Sequence, residues 1–136
     1  MESGDNLVAR SLPVDGALVG DILLRFRRDA GGAVVRWTLG EAGAAEIDVN
    51  FTSDGPRFTT GGRLWDARGI ALLNVTLALA VTAPDSAQLS LELPTEISAW
   101  WQARTEQLDA LCHAALDELS EELLWHAARS GVAAGS

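Results

Sequence analysis

The chain has 136 residues, of which 48% are apolar and 21% charged, and its formal net charge is −9. This length suits a single domain, residues 1–136 with an ordered core at about 6–130, that buries roughly two thirds of the surface of the unfolded chain. The acidic balance disfavours nucleic acid as a partner, and no apolar run approaches the roughly 20 residues that a membrane span requires.

The N-terminal sequence MESGDNLVAR lacks the basic and apolar regions of a secretion signal, which favours a cytoplasmic location. Cys112 is the single cysteine, so the chain can form neither an internal disulfide nor a paired-cysteine zinc site. The densest basic cluster, Arg25, Arg27 and Arg28, is short and followed by Asp29, which indicates solvated charges. No glycine-rich phosphate loop or metal-ligand spacing occurs, so we expect no cofactor and no metal.

The first half of the sequence predicts three strands joined by turns. NLVARSL precedes a turn at Asp15-Gly16, ALVGDILLRFR precedes a turn at residues 29–32, and AVVRWTLG ends near residues 41–43. Turn signals recur at intervals of roughly 8–14 residues, the rhythm of an antiparallel meander. No helix of two turns or more is therefore expected before Pro94.

The next two predicted strands are AEIDVNFT and RFTTGGRLW. Ile47, Val49 and Phe51 alternate with polar residues, and this period of two predicts one dry and one wet face. Gly61 and Gly62 stand inside the second strand, where glycine indicates a bulge or a sharp bend.

The longest apolar run, IALLNVTLALAVT, predicts a strand buried on one face and largely covered on the other. Its polar side chains Asn74 and Thr76 share one face, either as hydrogen-bonding groups in a ligand cavity or as solvent-facing positions. The last predicted strand, AQLSLEL, alternates Leu89, Leu91 and Leu93 with polar residues.

After Leu93 the period becomes helical. Thr95 or Ser98 after Pro94 marks a helix start and Gly131 an end, which predicts one helix of roughly 30 residues. At about 100° per residue, one stripe collects the apolar side chains and one histidine: Ile97, Trp101, Leu108, Leu111, Cys112, Ala115, Leu119, Leu123 and His126. We expect this stripe to pack on the sheet with Trp101 buried, while Trp100 stands at its edge, at the mouth of a groove or in a subunit contact.

The antiparallel meander followed by a long amphipathic helix resembles the helix-grip fold of the START and Bet v 1-like (SRPBCC) superfamily, which includes polyketide cyclases. The resemblance covers roughly residues 17–130 and rests on the Gly61-Gly62 pair, on GGRLWDARGIALLNVTLALAVT and on LPTEISAWW. It implies an α+β fold in which about seven strands wrap on one helix and a small apolar ligand binds between them.

The predicted turn at Asp15-Gly16 departs from that family, because it leaves no room for the two short helices that usually follow the first strand and wall the cavity. An uncovered apolar face is expected to be hidden by a second copy or by a partner.

The five tryptophans, with three Phe and no Tyr, suit either the filling of irregular core space or the walls of a pocket for an aromatic ligand. Catalysis would need a buried acid or base, for which the sequence offers His126 and, less well, Asp48 or Arg36. For His126, a core histidine satisfied by a carbonyl or by the helix dipole is the alternative. The predicted ligand-binding residues are Trp37, Phe51, Trp65, Asn74, Trp100, Trp101, Leu108 and His126.

These observations predict a helix-grip module that binds a small hydrophobic molecule, with cyclase-like activity as the further step that the resemblance implies. The alternative is a non-enzymatic protein that forms a homodimer or binds a protein partner through the open face of its sheet.

Overall fold

The structure, a computed structural model, describes residues 7–135. Within this range there are seven strands: β1 Leu7–Leu12, β2 Val34–Thr38, β3 Ala44–Asp48, β4 Thr52–Asp54, β5 Arg57–Trp65, β6 Leu72–Ala83 and β7 Ser86–Glu92. There are three α-helices: α1 Val19–Asp29, α2 Ala99–Gln102 and α3 Thr105–Gly135. Short 3-10 turns precede α1 at Gly16–Leu18 and β3 at Gly40–Ala42.

All strand pairs are antiparallel, and the sheet order is β1-β7-β6-β5-β3-β2, with β4 paired to β5. A sheet in which the first strand lies beside the last, followed by a long C-terminal helix, has the topology of the helix-grip fold. The α+β class and the number of strands are thus confirmed.

The core lies between one face of the sheet and the helices α1 and α3. In β6 the inward side chains alternate with polar or small outward ones, as a half-buried strand requires; the inward ones are Leu73, Val75, Leu77 and Leu79. Helix α3 contacts β1, β7, β3 and α1. Its predicted stripe from Leu108 to His126 is buried throughout, whereas Ile97, which precedes the helices, is half-buried.

The prediction of a strand at residues 17–27, and with it the absence of any helix before Pro94, is wrong. The segment forms α1 because its apolar residues recur at helical spacing and enter the core together: Val19, Ile22, Leu23 and Phe26 are all buried. Asp15 supports the entry by accepting a hydrogen bond from the Ala17 amide at 2.9 Å. A helix therefore does lie between the first and second strands. The expectation that the Asp15-Gly16 turn leaves no room for a helix there is wrong.

The predicted strand at residues 45–52 is divided into β3 and β4. Ladder pairing ends at Asp48, whose carbonyl accepts a hydrogen bond from the Thr60 hydroxyl at 2.8 Å, and the Val49 amide donates to Ala33 outside the sheet at 3.2 Å. These contacts hold the backbone without regular pairing.

No bulge occurs at Gly61 and Gly62, which pair in continuous register with Thr76 and Val75. Gly62 serves a close approach of strands instead, because a Cβ there would lie 2.8 Å from Ile47 Cδ1. A register shift does occur at residues 81–83, in the pairing of β6 with β7.

The C-terminal helix is interrupted near its start and extends past the predicted end at Gly131. The Arg104 amide bonds to the Trp101 carbonyl at 2.9 Å and closes α2, and α3 then runs for 31 residues. The tryptophan pair therefore belongs to a separate single turn. No helix within residues 7–135 has the length and apolar content needed to cross a bilayer.

Candidate functional site

The adjacent tryptophans of α2 differ in exposure as predicted. Trp101 is 0% exposed and Trp100 is half-buried. Their ring centroids are 4.9 Å apart with an interplanar angle of 83°, an edge-to-face contact. Because Trp101 is enclosed by the core, this contact fixes one side of the Trp100 ring.

Trp100 forms one wall of a groove of about 390 Å³ between the start of the C-terminal helices and the loop that joins β5 to β6. This volume falls within the range of roughly 300–1,000 Å³ that is typical of small-molecule sites. We call it the Trp100 groove; its lining residues are Asp66, Ala67, Arg68, Ile70, Trp100, Arg104 and Gln107.

Asp66 shapes the opposite wall of the Trp100 groove. Its carboxylate accepts hydrogen bonds from the amides of Ile70 at 2.6 Å, Ala71 at 2.7 Å and Arg68 at 3.3 Å. Desolvation raises the pKa of Asp66, but these backbone donors outweigh it and hold the pKa below its ordinary value. The group is therefore ionised at neutral pH, and the loop is held in place by bonds to a single side chain.

Arg104 lies over the Trp100 ring, with Cζ 4.0 Å from the ring centroid, and its Nη1 donates to the Trp100 carbonyl at 2.9 Å. The two residues are four apart, Trp100 in α2 and Arg104 in the turn that follows it. Trp100 is thus held by an aromatic contact and a cation–π contact before any ligand arrives.

The other predicted ligand-binding residues lie in separate places. Leu108 is buried in the core, and Trp37 is half-buried on the edge strand β2. Trp65 points to the outer face, where the Arg36 guanidinium lies 5.3 Å from its ring centroid. Asn74 is exposed on the same outer face, in agreement with the solvent-facing alternative.

Phe51 lines a second, smaller groove of about 160 Å³ between α1 and the strands β4 and β5. Its ring meets that of Phe26 edge-on at 6.5 Å. This groove is below the size typical of ligand sites of roughly 300 Å³ or more, which makes it the weaker candidate.

His126 is buried at 1% exposure, and neither of its ring nitrogens has a hydrogen-bond partner. Nδ1 is 3.7 Å from an Asp29 carboxylate oxygen and Nε2 is 3.6 Å from one of Glu122, both beyond hydrogen-bond distance. The expected carbonyl partner is thus absent from the described residues. A general base must reach the proton that it removes, and this enclosed ring, packed against Phe26 and Trp125, favours a core role.

The weaker acid and base candidates also have structural roles. Arg36 and Arg63 both bind Glu46 on the outer face of the sheet, at 2.8 Å and 2.6 Å. Hydrogen bonds from these two guanidinium groups lower the pKa of Glu46. Asp48 accepts a hydrogen bond from the Asn50 amide at 2.9 Å.

Burial, with a smaller effect of the Asp109 charge, raises the pKa of the Cys112 thiol to about 12. The thiol is therefore protonated at neutral pH, in agreement with the prediction of a core residue. No cluster of three potential metal ligands occurs among residues 7–135.

Sequence reasoning missed Asp66, Arg68 and Arg104. A signal for the first was present, since Asp66 to Gly69 is a turn in which Asp binds the backbone ahead of it. For Arg104, the spacing of four from Trp100 was the available signal. Neither signal shows that the loop and the helix face each other.

No family model and no curated protein matches the sequence. Among solved structures, the chain is similar to human STARD10, with 10% identity and a TM-score of 0.43 over 87% of this chain and 62% of that chain. It is also similar to DynU16, a protein of the dynemicin biosynthetic locus, with 16% identity and a TM-score of 0.39 over 85% and 46%. The chain is also similar to the Saccharomyces cerevisiae Ran-binding protein Mog1p, with 19% identity and a TM-score of 0.32 over 95% of this chain and 70% of that chain.

The chain therefore spans less than two thirds of the STARD10 and DynU16 chains. At these identities and TM-scores, the similarities carry no information on ligand, activity or partner. The element order defines the class of the fold, an α+β helix-grip arrangement, and the Trp100 groove is its candidate site.

Proposed function

We propose that the protein binds a small molecule with an aromatic or apolar body in the Trp100 groove. The observation that carries this proposal is the fixed wall formed by Trp100, which is held by Trp101 and Arg104 opposite a loop organised by Asp66. A wall that is already ordered loses little conformational entropy on binding, so more of the contact energy becomes affinity.

The fold supports the proposal by analogy, because the resemblance to helix-grip proteins implies a ligand beside the C-terminal helix. The proposed position differs from the implied one. Between sheet and helix, the space is occupied by fully buried side chains such as Trp101, Leu111 and Leu119. The groove lies instead at the end of the helical layer, against the β5–β6 loop.

The test is a titration with N-phenyl-1-naphthylamine, an uncharged fluorescent arene. Removal of an aromatic ring from the centre of a binding site commonly costs more than about 1.4 kcal/mol, so we expect Trp100→Ala to raise the Kd at least tenfold. Trp125→Ala is the matched control, since Trp125 is an exposed helical tryptophan outside the groove. Equal Kd values in all three proteins, or no binding to the wild type, would overturn the proposal. Native mass spectrometry of the purified protein would detect any co-purified ligand.

The residues do not favour the cyclase-like activity. Each of His126, Arg36 and Asp48 lies outside the Trp100 groove, and each is engaged or enclosed by the protein itself. Binding without catalysis is therefore the function that we propose.

The alternative of a homodimer or a protein partner loses its principal reason, because α1 and α3 cover the inner face of the sheet. Among the residues whose exposure the structure describes, the large apolar side chains that stay exposed are spread over several elements: Leu24, Val34, Ile70, Leu72 and Trp125. Separate exposed apolar residues are normal on monomers. Sedimentation at tens of micromolar tests the alternative, and a dimer there would restore it.

A further inference from the structure

The Trp100 groove carries positive charge in an acidic protein. The chain has a formal net charge of −9 with ten basic residues, all arginine. Within residues 7–135 the arginines that form salt bridges are Arg10, Arg36, Arg57 and Arg63. Arg68 and Arg104, which line the groove, are among the arginines that pair with no carboxylate in that part of the chain.

The carboxylate in the groove leaves positive charge in excess, because ionised Asp66 offsets one of the two guanidinium charges of Arg68 and Arg104. Asp66 is 4% exposed, and both of its oxygens accept hydrogen bonds from backbone amides of its own loop. Its acceptor capacity is directed into the protein, whereas the guanidinium groups of Arg68 and Arg104 belong to exposed residues. A ligand in the groove therefore meets hydrogen-bond donors more readily than acceptors.

Arg104 is also held in position. One of its nitrogens, Nη1, donates to the Trp100 carbonyl, and the guanidinium plane lies over the indole. Arginine carries five N–H donors in a rigid fork, so this anchoring leaves donors for an anionic oxygen pair. The Gln107 side-chain amide offers a further donor on the same helix side of the groove.

From this arrangement we infer that the ligand of the Trp100 groove is an aromatic anion, a planar ring system that bears a carboxylate or sulfonate. The ring contacts Trp100 and Ile70, and the anionic group is bound by Arg68 and Arg104. The inference rests on the proposed function, since it names the class of ligand for the same groove.

The test compares two probes that share one skeleton. 8-Anilino-1-naphthalenesulfonate carries a sulfonate, and N-phenyl-1-naphthylamine is the same arene without it. Hydrogen bonds in which both partners are charged are stronger than neutral ones, so we expect the anion to bind the wild type at least about tenfold more tightly than the neutral probe. In Arg68→Gln/Arg104→Gln we expect the preference, measured as the ratio of the two Kd values, to fall to about one. Because Arg104 also holds the Trp100 ring, the Kd of the neutral probe should rise in this variant as well, so the ratio of the two Kd values is the readout.

Two controls separate charge from fold. Arg129→Gln removes a matched arginine that lies over Trp125, and it should leave both Kd values unchanged. Arg68→Lys/Arg104→Lys keeps the charge and should retain most of the preference, which distinguishes loss of charge from damage to the loop. Cooperative urea unfolding of each variant shows that the probes report a folded protein.

Each outcome decides one question. A preference for the anion that depends on both charges supports the inference. Equal binding of the two probes, still dependent on Trp100, overturns the inference and leaves the proposed function standing. Anion binding that is unaffected by Arg68→Gln/Arg104→Gln also overturns the inference. Absence of binding by either probe overturns the proposed function and the inference together.

Discussion

The two ends of the helical layer carry the same local arrangement and present it differently. Trp100 and Arg104 form a cation–π pair at 4.0 Å, and Trp125 and Arg129 form one at 4.4 Å. Each tryptophan also meets a buried aromatic neighbour edge-on with centroids 4.9 Å apart: Trp101 in the first case and His126 in the second. In both pairs the arginine follows the tryptophan by four residues. Trp125 and Arg129 share α3, whereas Arg104 lies in the turn between α2 and α3.

The two tryptophan–arginine pairs differ in what lies opposite the tryptophan ring. Trp100 is half-buried and faces the loop that Asp66 organises, whereas Trp125 is 51% exposed. A tryptophan and an arginine one helical turn apart are thus insufficient for a site. A second element must approach from elsewhere in the chain, and here it comes from the turn between two strands.

Trp101→Ala gives the largest expected effect. Deletion of a fully buried aromatic ring costs about 3–5 kcal/mol, because the cavity that it leaves is not refilled. A domain of this size has a stability of only about 5–15 kcal/mol, so the variant is expected to be marginally folded. Urea denaturation measures the change.

Trp101→Phe is the companion variant of Trp101→Ala, because it removes the indole N–H but keeps an aromatic ring in the core. The Trp101 Nε1 group has no hydrogen-bond partner, so its removal forfeits no bond and the cost should be clearly below that of Trp101→Ala. Equal destabilisation by Trp101→Ala and Trp100→Ala would show that the two rings are not placed as described.

Asp66→Ala should have the next largest effect. The part-buried amides of Ile70 and Ala71 donate to this carboxylate, and loss of the acceptor should cost at most about 1–3 kcal/mol, the range for fully buried donors left unsatisfied. Asp66→Asn retains one acceptor oxygen and should cost less. We expect Asp66→Ala to weaken probe binding in the Trp100 groove as well. Unchanged binding would mean that the loop does not form the wall.

The pH dependence of stability follows from the same carboxylate. Because the pKa of Asp66 is lowered in the folded state, its contribution is complete above the ordinary value of 3.8 and is lost as the pH falls through the folded-state pKa. Glu46 acts with the same sign, below its ordinary value of 4.5. The urea midpoint should therefore decrease less between neutral and acid pH in Asp66→Asn than in the wild type. A parallel fall would assign the acid sensitivity to other groups.

The smallest effects on stability are expected from Trp100→Ala and Trp125→Ala. A cation–π contact at an exposed site contributes about 0.5–1 kcal/mol, and both variants lose one. Trp100→Ala should cost somewhat more, because Trp100 also packs on Trp101. Only Trp100→Ala should change probe binding, and an equal effect of both on binding would remove the distinction between the two ends.

Periodicity predicted those parts of the fold in which one local pattern fits. The alternation in β6 and β7 and the stripe of α3 each match a single period, and there the strands, the helix and the contrast between Trp100 and Trp101 were predicted correctly. The segment that forms α1 is different. Its leucine, valine and isoleucine content suits a strand, but Val19, Ile22, Leu23 and Phe26 recur at the i, i+3, i+4, i+7 spacing of a helix. The helical spacing was therefore present in the sequence, and the prediction of a strand overlooked it.

The groove could be predicted only in part, for a different reason. Trp100 was expected at a groove mouth because a helical step separates it from Trp101. Its opposite wall depends on the position of the β5–β6 loop, which lies about 30 residues before Trp100 in the sequence and is set by the order of strands. No local pattern encodes that approach. The eight predicted ligand-binding residues therefore do not form one cluster, and they are distributed over the core, the outer face and two grooves.

The burial of Cys112 has a practical consequence for labelling chemistry. With its thiol pKa raised to about 12, Cys112 is protonated at neutral pH, and its sulfur is enclosed by the core. The native cysteine should thus be silent towards maleimides, so it need not be removed. A single fluorophore or spin label can then be attached through Gln107→Cys at the rim of the groove, and its signal would report on that rim alone.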